Sequence, residues 1–183
     1  MTNVFTLPAD AWKSISPLKW PDYEALLRAG VQKADLARAH IDCEIAADDI
    51  AVERGRWVRR FRGDRAVVIP VHNPESGDIL DLVAFRMETP RSFWTFAGIA
   101  PYLGHEALAH ATYHRIPLIV HETPLEWLTA GREGIVILGW KHYWPAYFGD
   151  VVALRTHNPE FGRRLRDAMK HPLPTPPIQV AAA

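Results

Sequence analysis

The chain has 183 residues, 48% of them hydrophobic, and its 21 Lys and Arg residues balance 21 Asp and Glu residues, so its formal net charge is zero. This composition is that of a globular protein with a packed core, and it confines any nucleic-acid binding to a local basic patch. The single cysteine, Cys43, excludes an intramolecular disulfide framework and a zinc site built from cysteines. There is no 18-residue apolar run and no secretory signal pattern, so we expect a cytoplasmic protein without a membrane segment.

Residues 1–53 are predicted to form an N-terminal arm and helices. Residues 1–20 show no sustained hydrophobic period, which is typical of an irregular arm. The segment from Pro21 to Gly30 has the proline start and glycine stop of a short helix. Gln32 to Glu53 predicts a second helix, whose polar side is a solvated acidic face or, alternatively, a partner surface.

Residues 54–98 are predicted to form a β-hairpin region, which begins with a cluster of arginines around Trp57 and Phe61. Arginines between aromatic residues are typical of surfaces that bind single-stranded nucleic acid through phosphate contacts and base stacking. A solvated strand edge paired with the acidic helix is the alternative. The candidate binding residues are Arg54, Arg56, Arg59, Arg60 and Arg62.

Two apolar runs follow the arginines, at residues 66–71 and 79–85, and turn-forming residues separate them. This pattern predicts two antiparallel strands joined as a β-hairpin, and residues 91–98 continue it as a strand and a loop.

The segment from Ile99 to about Arg115 predicts a helix on which His110 and His114 share one face. With His121 or Glu122 as a third ligand, these histidines would suit zinc or another transition metal. The alternative, which we favour, is that they are surface or core residues and that the chain has no metal site.

Short β-branched runs at 117–121, 134–138 and 150–154 are separated by helix-length segments. Such alternation predicts strand–helix–strand units in a parallel sheet, where working residues follow the carboxyl ends of the strands. Glu122, Gly139 and His157 occupy those positions.

This order of elements resembles the Toprim domain of bacterial and phage primases, topoisomerases and related nucleases. Glu122 stands where the family has its glutamate, and Gly162 where a glycine follows the acidic pair. The two aspartates of the family's Asp-x-Asp-x-x-Gly motif fall on His157 and Pro159. The resemblance implies an α/β fold, with a Toprim-like parallel sheet flanked by helices over residues 99–171. A helical segment and a β-hairpin precede it, and the hairpin resembles one found before Toprim domains.

The replaced aspartates bear on chemistry, because Mg²⁺ prefers oxygen ligands that usually include carboxylates. With Glu122 as the one remaining acidic motif residue, two-metal phosphoryl chemistry is not supported. We therefore expect a degenerate, non-catalytic Toprim-like domain without a cofactor; Mg²⁺ is implied only if the protein is an enzyme.

An aromatic segment and a basic helix complete the candidate surface. The aromatic segment, residues 140–149, could stack on bases, form a protein interface or pack as a lid on the core. Residues 172–183 are a proline-rich tail that we do not expect to fold alone. The additional candidate binding residues are Trp140, Lys141, Tyr143, Trp144, Arg163, Arg164 and Arg166.

Three functions follow from these features. The leading hypothesis is a DNA- or RNA-binding or accessory protein of DNA replication or a mobile element, with possible replication-protein partners, as the resemblance implies. The second is a variant metal-dependent nuclease or nucleotidyl-transfer domain that uses Glu122, Asp150 and His157, although Asp150 begins its strand instead of following it. The third is a protein-interaction module without nucleic acid.

Overall fold

The computed structural model describes residues 7–141 and 144–170 and shows a mixed α/β fold with two sheets. Three helices come first: α1 (Pro8–Lys13), α2 (Trp20–Arg28) and α3 (Lys33–Ile41). The first of them lies within the segment predicted to be irregular. The tail at 172–183 lies outside the described residues.

The expectation of one helix from Gln32 to Glu53 is wrong. Helix α3 ends at Ile41, Cys43 adopts a left-handed backbone with φ 54°, and β1 runs from Ala46 to Glu53. In the sequence, the alanines and aspartates of this segment fit the apolar and polar sides of a helix. The segment is a strand instead of a helix because pairing with two other strands buries Ala46, Ala47 and Ile50 in the first sheet.

The first sheet is a closed barrel with strand order β1-β2-β5-β4-β3. Its other strands are β2 (Arg56–Arg59), β3 (Asp64–His72), β4 (Ile79–Phe85) and β5 (Phe93–Thr95). The predicted hairpin is confirmed, since β3 and β4 pair antiparallel from Val67 opposite Phe85 to His72 opposite Ile79. Closure joins β2 to β5 through Arg56 opposite Thr95, and Trp57 fills part of the interior.

A buried carboxylate fixes the exit from the barrel. Asp81 of β4 is fully buried and accepts hydrogen bonds from the backbone N–H groups of Leu82, Ala97, Ile99 and Ala100 at 2.8 to 3.2 Å. Four donors satisfy a charge that would otherwise be costly to bury. Asp81 therefore ties the barrel to the segment that enters the second sheet.

The second sheet has strand order β6-β8-β7-β9. Its strands are β6 (Tyr102–Leu103), β7 (Leu118–His121), β8 (Ile135–Ile137) and β9 (Leu154–Arg155), and its helices are α4 (His105–His114), α5 (Pro124–Thr129), α6 (Trp144–Phe148) and α7 (Pro159–Lys170). The strand–helix–strand prediction is confirmed for β7, α5 and β8, with β7 parallel to both β8 and β9.

Two boundaries in this sheet differ from the prediction. The helix expected from Ile99 begins only at His105, because β6 precedes it and pairs antiparallel with β8. Gly104 between them has φ 92°, and a Cβ there would meet the Gly134 carbonyl oxygen at 2.4 Å, so only glycine fits. The strand expected at 150–154 is reduced to Leu154 and Arg155.

One hydrophobic cluster joins the two sheets. It includes Val67 and Phe85 of the barrel together with Leu103, Trp127 and Val136 of the second sheet. A second cluster beneath α7 holds Phe161 and Leu165, which fixes the face that this helix presents to solvent. Within the described residues, no helix is long and apolar enough to cross a membrane.

Candidate functional site

Glu122 follows the carboxyl end of β7, as the sequence predicts. The next helix begins at once, because the Thr123 hydroxyl accepts from the Glu126 N–H at 3.1 Å and Pro124 occupies the first turn. The Glu126 carboxylate in turn accepts from the Glu122 N–H at 2.9 Å. This reciprocal pair fixes the backbone of Glu122 and directs the chain into α5.

The Glu122 carboxylate is held by two side chains of the last helical region. The Asn158 side-chain amide donates to Glu122 Oε2 at 3.1 Å, and the Arg164 guanidinium lies 3.5 Å from Oε1. Asn158 itself is fixed, because its Oδ1 accepts from the N–H groups of Glu160 and Phe161 at the start of α7. Glu122 is thus an ion-pair partner in this structure.

Arg164 lies beside two aromatic rings that contact each other. Its guanidinium carbon is 5.1 Å from the Trp140 ring centre and 5.2 Å from that of Phe161. The two rings are edge to face with centres 6.1 Å apart. Both cation–π contacts and the Glu122 ion pair restrict one guanidinium, while 57% of the Arg164 side chain stays exposed.

A pocket of about 380 Å³ lies beside Glu122 at the carboxyl ends of β7 and β9. His121 and His157 line it, with ring centres 6.3 Å apart. The His121 Nε2–H donates to the Glu133 carbonyl at 2.7 Å. Burial lowers the pKa of His121, and this effect outweighs that hydrogen bond and the nearby carboxylates, which raise it.

The residues present do not fit the Mg²⁺ site that the Toprim resemblance implies. His157 and Pro159 replace the paired carboxylates, and Glu122 is engaged by Arg164 and Asn158. His110 and His114 do contact each other, with ring centres 4.3 Å apart and ring planes tilted by 51°. Across residues 7–141 and 144–170, however, no three His, Cys, Asp or Glu side chains are grouped to hold a metal, so neither these histidines with Glu122 nor Glu122, Asp150 and His157 form such a set.

A groove of about 760 Å³ runs between β9 and α7. Four exposed cationic residues line it: Arg155, Arg163, Arg166 and Lys170. Lys170 lies 3.5 Å from Asp167. In the described part of the chain, no carboxylate lies within 4 Å of the other three guanidinium groups.

The barrel arginines are placed differently. Arg59 forms an ion pair with Asp48 and donates to the Ser14 hydroxyl at 2.6 Å. Arg65 binds both carboxylate oxygens of Asp22, at 2.7 and 3.1 Å. The arginines of residues 54–65 form an arginine strip on the barrel. Their acidic partners come from β1 and α2, so part of the positive charge of the strip is neutralised locally.

The rest of the arginine strip is more open. Arg60 lies 3.9 Å from Glu53, and Arg62 lies 5.4 Å from the centre of the Phe61 ring, which is 88% exposed. Arg54 and Arg56 are also exposed. Aromatic and cationic groups do reach solvent here, as the sequence predicts for a binding surface.

The aromatic segment after β8 divides between surface and core. Trp140 is 38% exposed and Lys141 is exposed, whereas Trp144 is buried and stacks on Phe148 at 5.3 Å. Burial leaves Trp144 little surface on which a base could stack. Tyr143, also predicted to bind nucleic acid, lies outside the described residues.

Sequence reasoning did not find three residues of this region. Asn158 lies between the two motif positions, and an Asn directly before a helix that starts with Pro is a cap signal that could have indicated it. Arg155 and Lys170 were not selected, although they flank the basic helix in sequence. Their convergence on one groove depends on how β9 packs against α7.

No protein-family model, curated protein or solved structure matches this chain with significance. The Toprim resemblance therefore rests on motif positions and element order, and it stays a prediction.

Proposed function

We propose that this protein binds nucleic acid without cleaving it, and that the groove between β9 and α7 is the main contact surface. The observation that carries the proposal is the set of cations lining that groove, of which only Lys170 has a carboxylate partner among the described residues. We also propose that residues 99–171 form a degenerate Toprim-like domain. A role in DNA replication or a mobile element, with replication proteins as partners, rests on the resemblance alone.

The groove suits a phosphate backbone for electrostatic reasons. Phe161 and Leu165 anchor α7 to the core, so Arg163 and Arg166 are directed outward beside Arg155. Cations without carboxylate partners keep their full charge for phosphate groups, and neutralised phosphates release counterions. The barrel strip contributes less per residue, because Arg59 and Arg65 already contact carboxylates.

Absence of cleavage follows from the occupation of Glu122. The Arg164 guanidinium beside the Glu122 carboxylate opposes the approach of a metal cation, so Arg164 would have to move away before Glu122 could serve as a metal ligand. The variant-nuclease hypothesis requires that rearrangement, and the interaction-module hypothesis does not use the groove cations.

The test is anisotropy of labelled single- and double-stranded DNA across a salt series, with and without Mg²⁺. We expect binding that weakens with salt and leaves the DNA intact. In R163A/R166A the slope of log affinity against log salt should fall by about 0.7 for each single-strand phosphate that the variant no longer neutralises. Alanine keeps the helix, since it has the highest helix propensity.

The matched control is R60A, which removes an exposed arginine that already lies near Glu53. Its salt slope should fall by less than that of R163A/R166A. An equal loss in R60A and R163A/R166A would move the contact surface to the barrel. Mg²⁺-dependent cleavage would contradict the non-catalytic proposal, and no binding at low salt would favour the interaction module.

A further inference from the structure

We infer that Glu122 is a positioning residue, which holds Arg164 against Trp140 as a platform for an unpaired base and its phosphate. The inference rests on the proposed function and specifies its ligand as single-stranded nucleic acid, DNA or RNA. Among the residues that the structure describes, Glu122 is the one acidic side chain outside α7 that pairs with an arginine of this helix, and the inference gives it a role.

Three contacts restrict the Arg164 guanidinium. Trp140 and Phe161 lie 5.1 and 5.2 Å from the guanidinium carbon, and Glu122 Oε1 lies 3.5 Å from a terminal nitrogen. Glu122 is itself anchored through Asn158, and 21% of its side chain is exposed. A long, flexible arginine is thus held in one orientation before any ligand arrives.

Pre-ordering matters because an arginine immobilised on binding loses rotamer entropy, which weakens the affinity for the ligand. The ordered guanidinium keeps donors available for a phosphate, since more than half of the side chain is exposed. The 38% exposed Trp140 ring offers an apolar surface for a base. Base stacking on aromatic residues tolerates any sequence, because every base has a π-face.

A carboxylate on a phosphate-binding surface should otherwise oppose binding, since it repels the ligand. Simple electrostatics therefore predicts that any removal of the Glu122 charge strengthens binding. The positioning role predicts the opposite result for a variant that also removes the anchor. These opposed signs make the inference testable.

The experiment compares E122A with E122Q in binding to a labelled single-stranded oligonucleotide and to a hairpin duplex. Gln keeps one oxygen, which can accept from Asn158 or from Arg164 but does not replace both carboxylate oxygens, so E122Q should bind the single strand more tightly than E122A does. E122A loses the anchor and should weaken single-strand binding at least about fivefold, because a misplaced platform stacks less well on a base. The duplex should change less, since its bases are already stacked.

Three further variants separate positioning from folding and from charge. R164A removes the guanidinium itself and should weaken single-strand binding at least as much as E122A does, with no added loss in the E122A/R164A double variant. D167N removes a carboxylate that is 69% exposed on the same helix, and it should bind slightly more tightly. In the unchanged protein, ring currents should shift the Arg164 Nε–H resonance upfield, and E122A should abolish that shift.

The outcomes are distinguishable. Tighter or unchanged single-strand binding by E122A would overturn the positioning role, whereas equal weakening by E122A and E122Q would support it, because both variants lose the ion pair that holds Arg164. If E122A does not fold, single-strand binding by R164A decides, because an unchanged affinity would also overturn the inference. Loss of affinity in R163A/R166A without any effect of E122A or R164A would leave the proposed function standing and refute only the platform.

Discussion

The barrel and the second sheet each display a cluster of arginines, yet the two regions use positive charge differently. In the barrel, Arg59 contacts the Asp48 carboxylate of β1 and the Ser14 hydroxyl at the end of α1, and Arg65 contacts the Asp22 carboxylate of α2, so the two arginines anchor α1 and α2 to the strands. In the second sheet, Arg155, Arg163 and Arg166 surround a groove and contact no carboxylate among the described residues.

The difference shows that the density of arginines along a sequence does not measure the field at a surface. The barrel strip carries more arginines along the sequence than the groove does. However, β1 pairs with the strands of the strip and places its acidic residues beside those arginines. The groove has fewer cations, gathered from β9 and α7. We therefore expect changes to barrel charges to alter stability, and changes to groove charges to alter binding.

The largest effect should come from D81A. It leaves the N–H groups of Ala97, Ile99 and Ala100 without their acceptor, and an unsatisfied buried donor costs about 1–3 kcal/mol. We expect the free energy of unfolding to fall by about 3 kcal/mol or more, measured by urea denaturation. Affinity for DNA per folded molecule should not change.

The control for this prediction is D78A, which changes an aspartate in the exposed turn between β3 and β4. It should alter the free energy of unfolding by no more than about 0.5 kcal/mol. A similar small effect of D81A would show that Asp81 does not hold the exit from the barrel.

A smaller effect is expected for D22N, which tests an ion pair between α2 and β3. Burial raises the pKa of Asp22, but the hydrogen bonds from Arg65 and the Lys19 N–H and the nearby positive charges outweigh it, so the pKa is lowered overall. A lowered carboxylate pKa stabilises the fold above the unfolded value of about 3.9, and this stabilisation is lost as the pH falls through the folded pKa.

The measurement is the difference in free energy of unfolding between the unchanged protein and D22N from pH 3 to pH 7. We expect a difference of about 1 kcal/mol at neutral pH that shrinks below about pH 4. A difference that stays constant across this range would mean that the Asp22 charge does not contribute.

Much of the fold could be predicted because local signals agreed. The apolar runs on either side of residues 72–78 predicted β3 and β4, and the run ending at His121 placed Glu122 at a strand end. The segment at 46–53 was mispredicted, because its residues satisfy a helical pattern and only pairing with β2 and β3 selects a strand. The pairing of β2 with β5, which closes the barrel, is also not indicated by any local sequence pattern.

The candidate site was predictable in its positions and not in its contacts. Motif spacing selected Glu122 and His157, which do line one pocket. The sequence did not show that Arg164 neutralises Glu122, because that pairing depends on α7 packing back over β7 through Phe161. The ion-pair partners of Arg59 and Arg65 are also set by strand pairing and helix docking.

The smallest effect should be the pH response of His121, which belongs to the second sheet and contrasts with that of Asp22. Because burial lowers the pKa of His121, the unfolded chain binds a proton near pH 6.5 while the folded protein does not. Its contribution to stability is therefore complete above about pH 6.5 and is lost as the pH falls toward the folded pKa.

H121Q should remove this pH dependence, since Gln does not titrate and its amide can still donate to the Glu133 carbonyl. We expect the melting temperature of the unchanged protein to fall relative to that of H121Q as the pH is lowered from about 7 to about 5, and the two curves to run parallel above about pH 7. Parallel curves throughout would mean that His121 takes up its proton equally in both states.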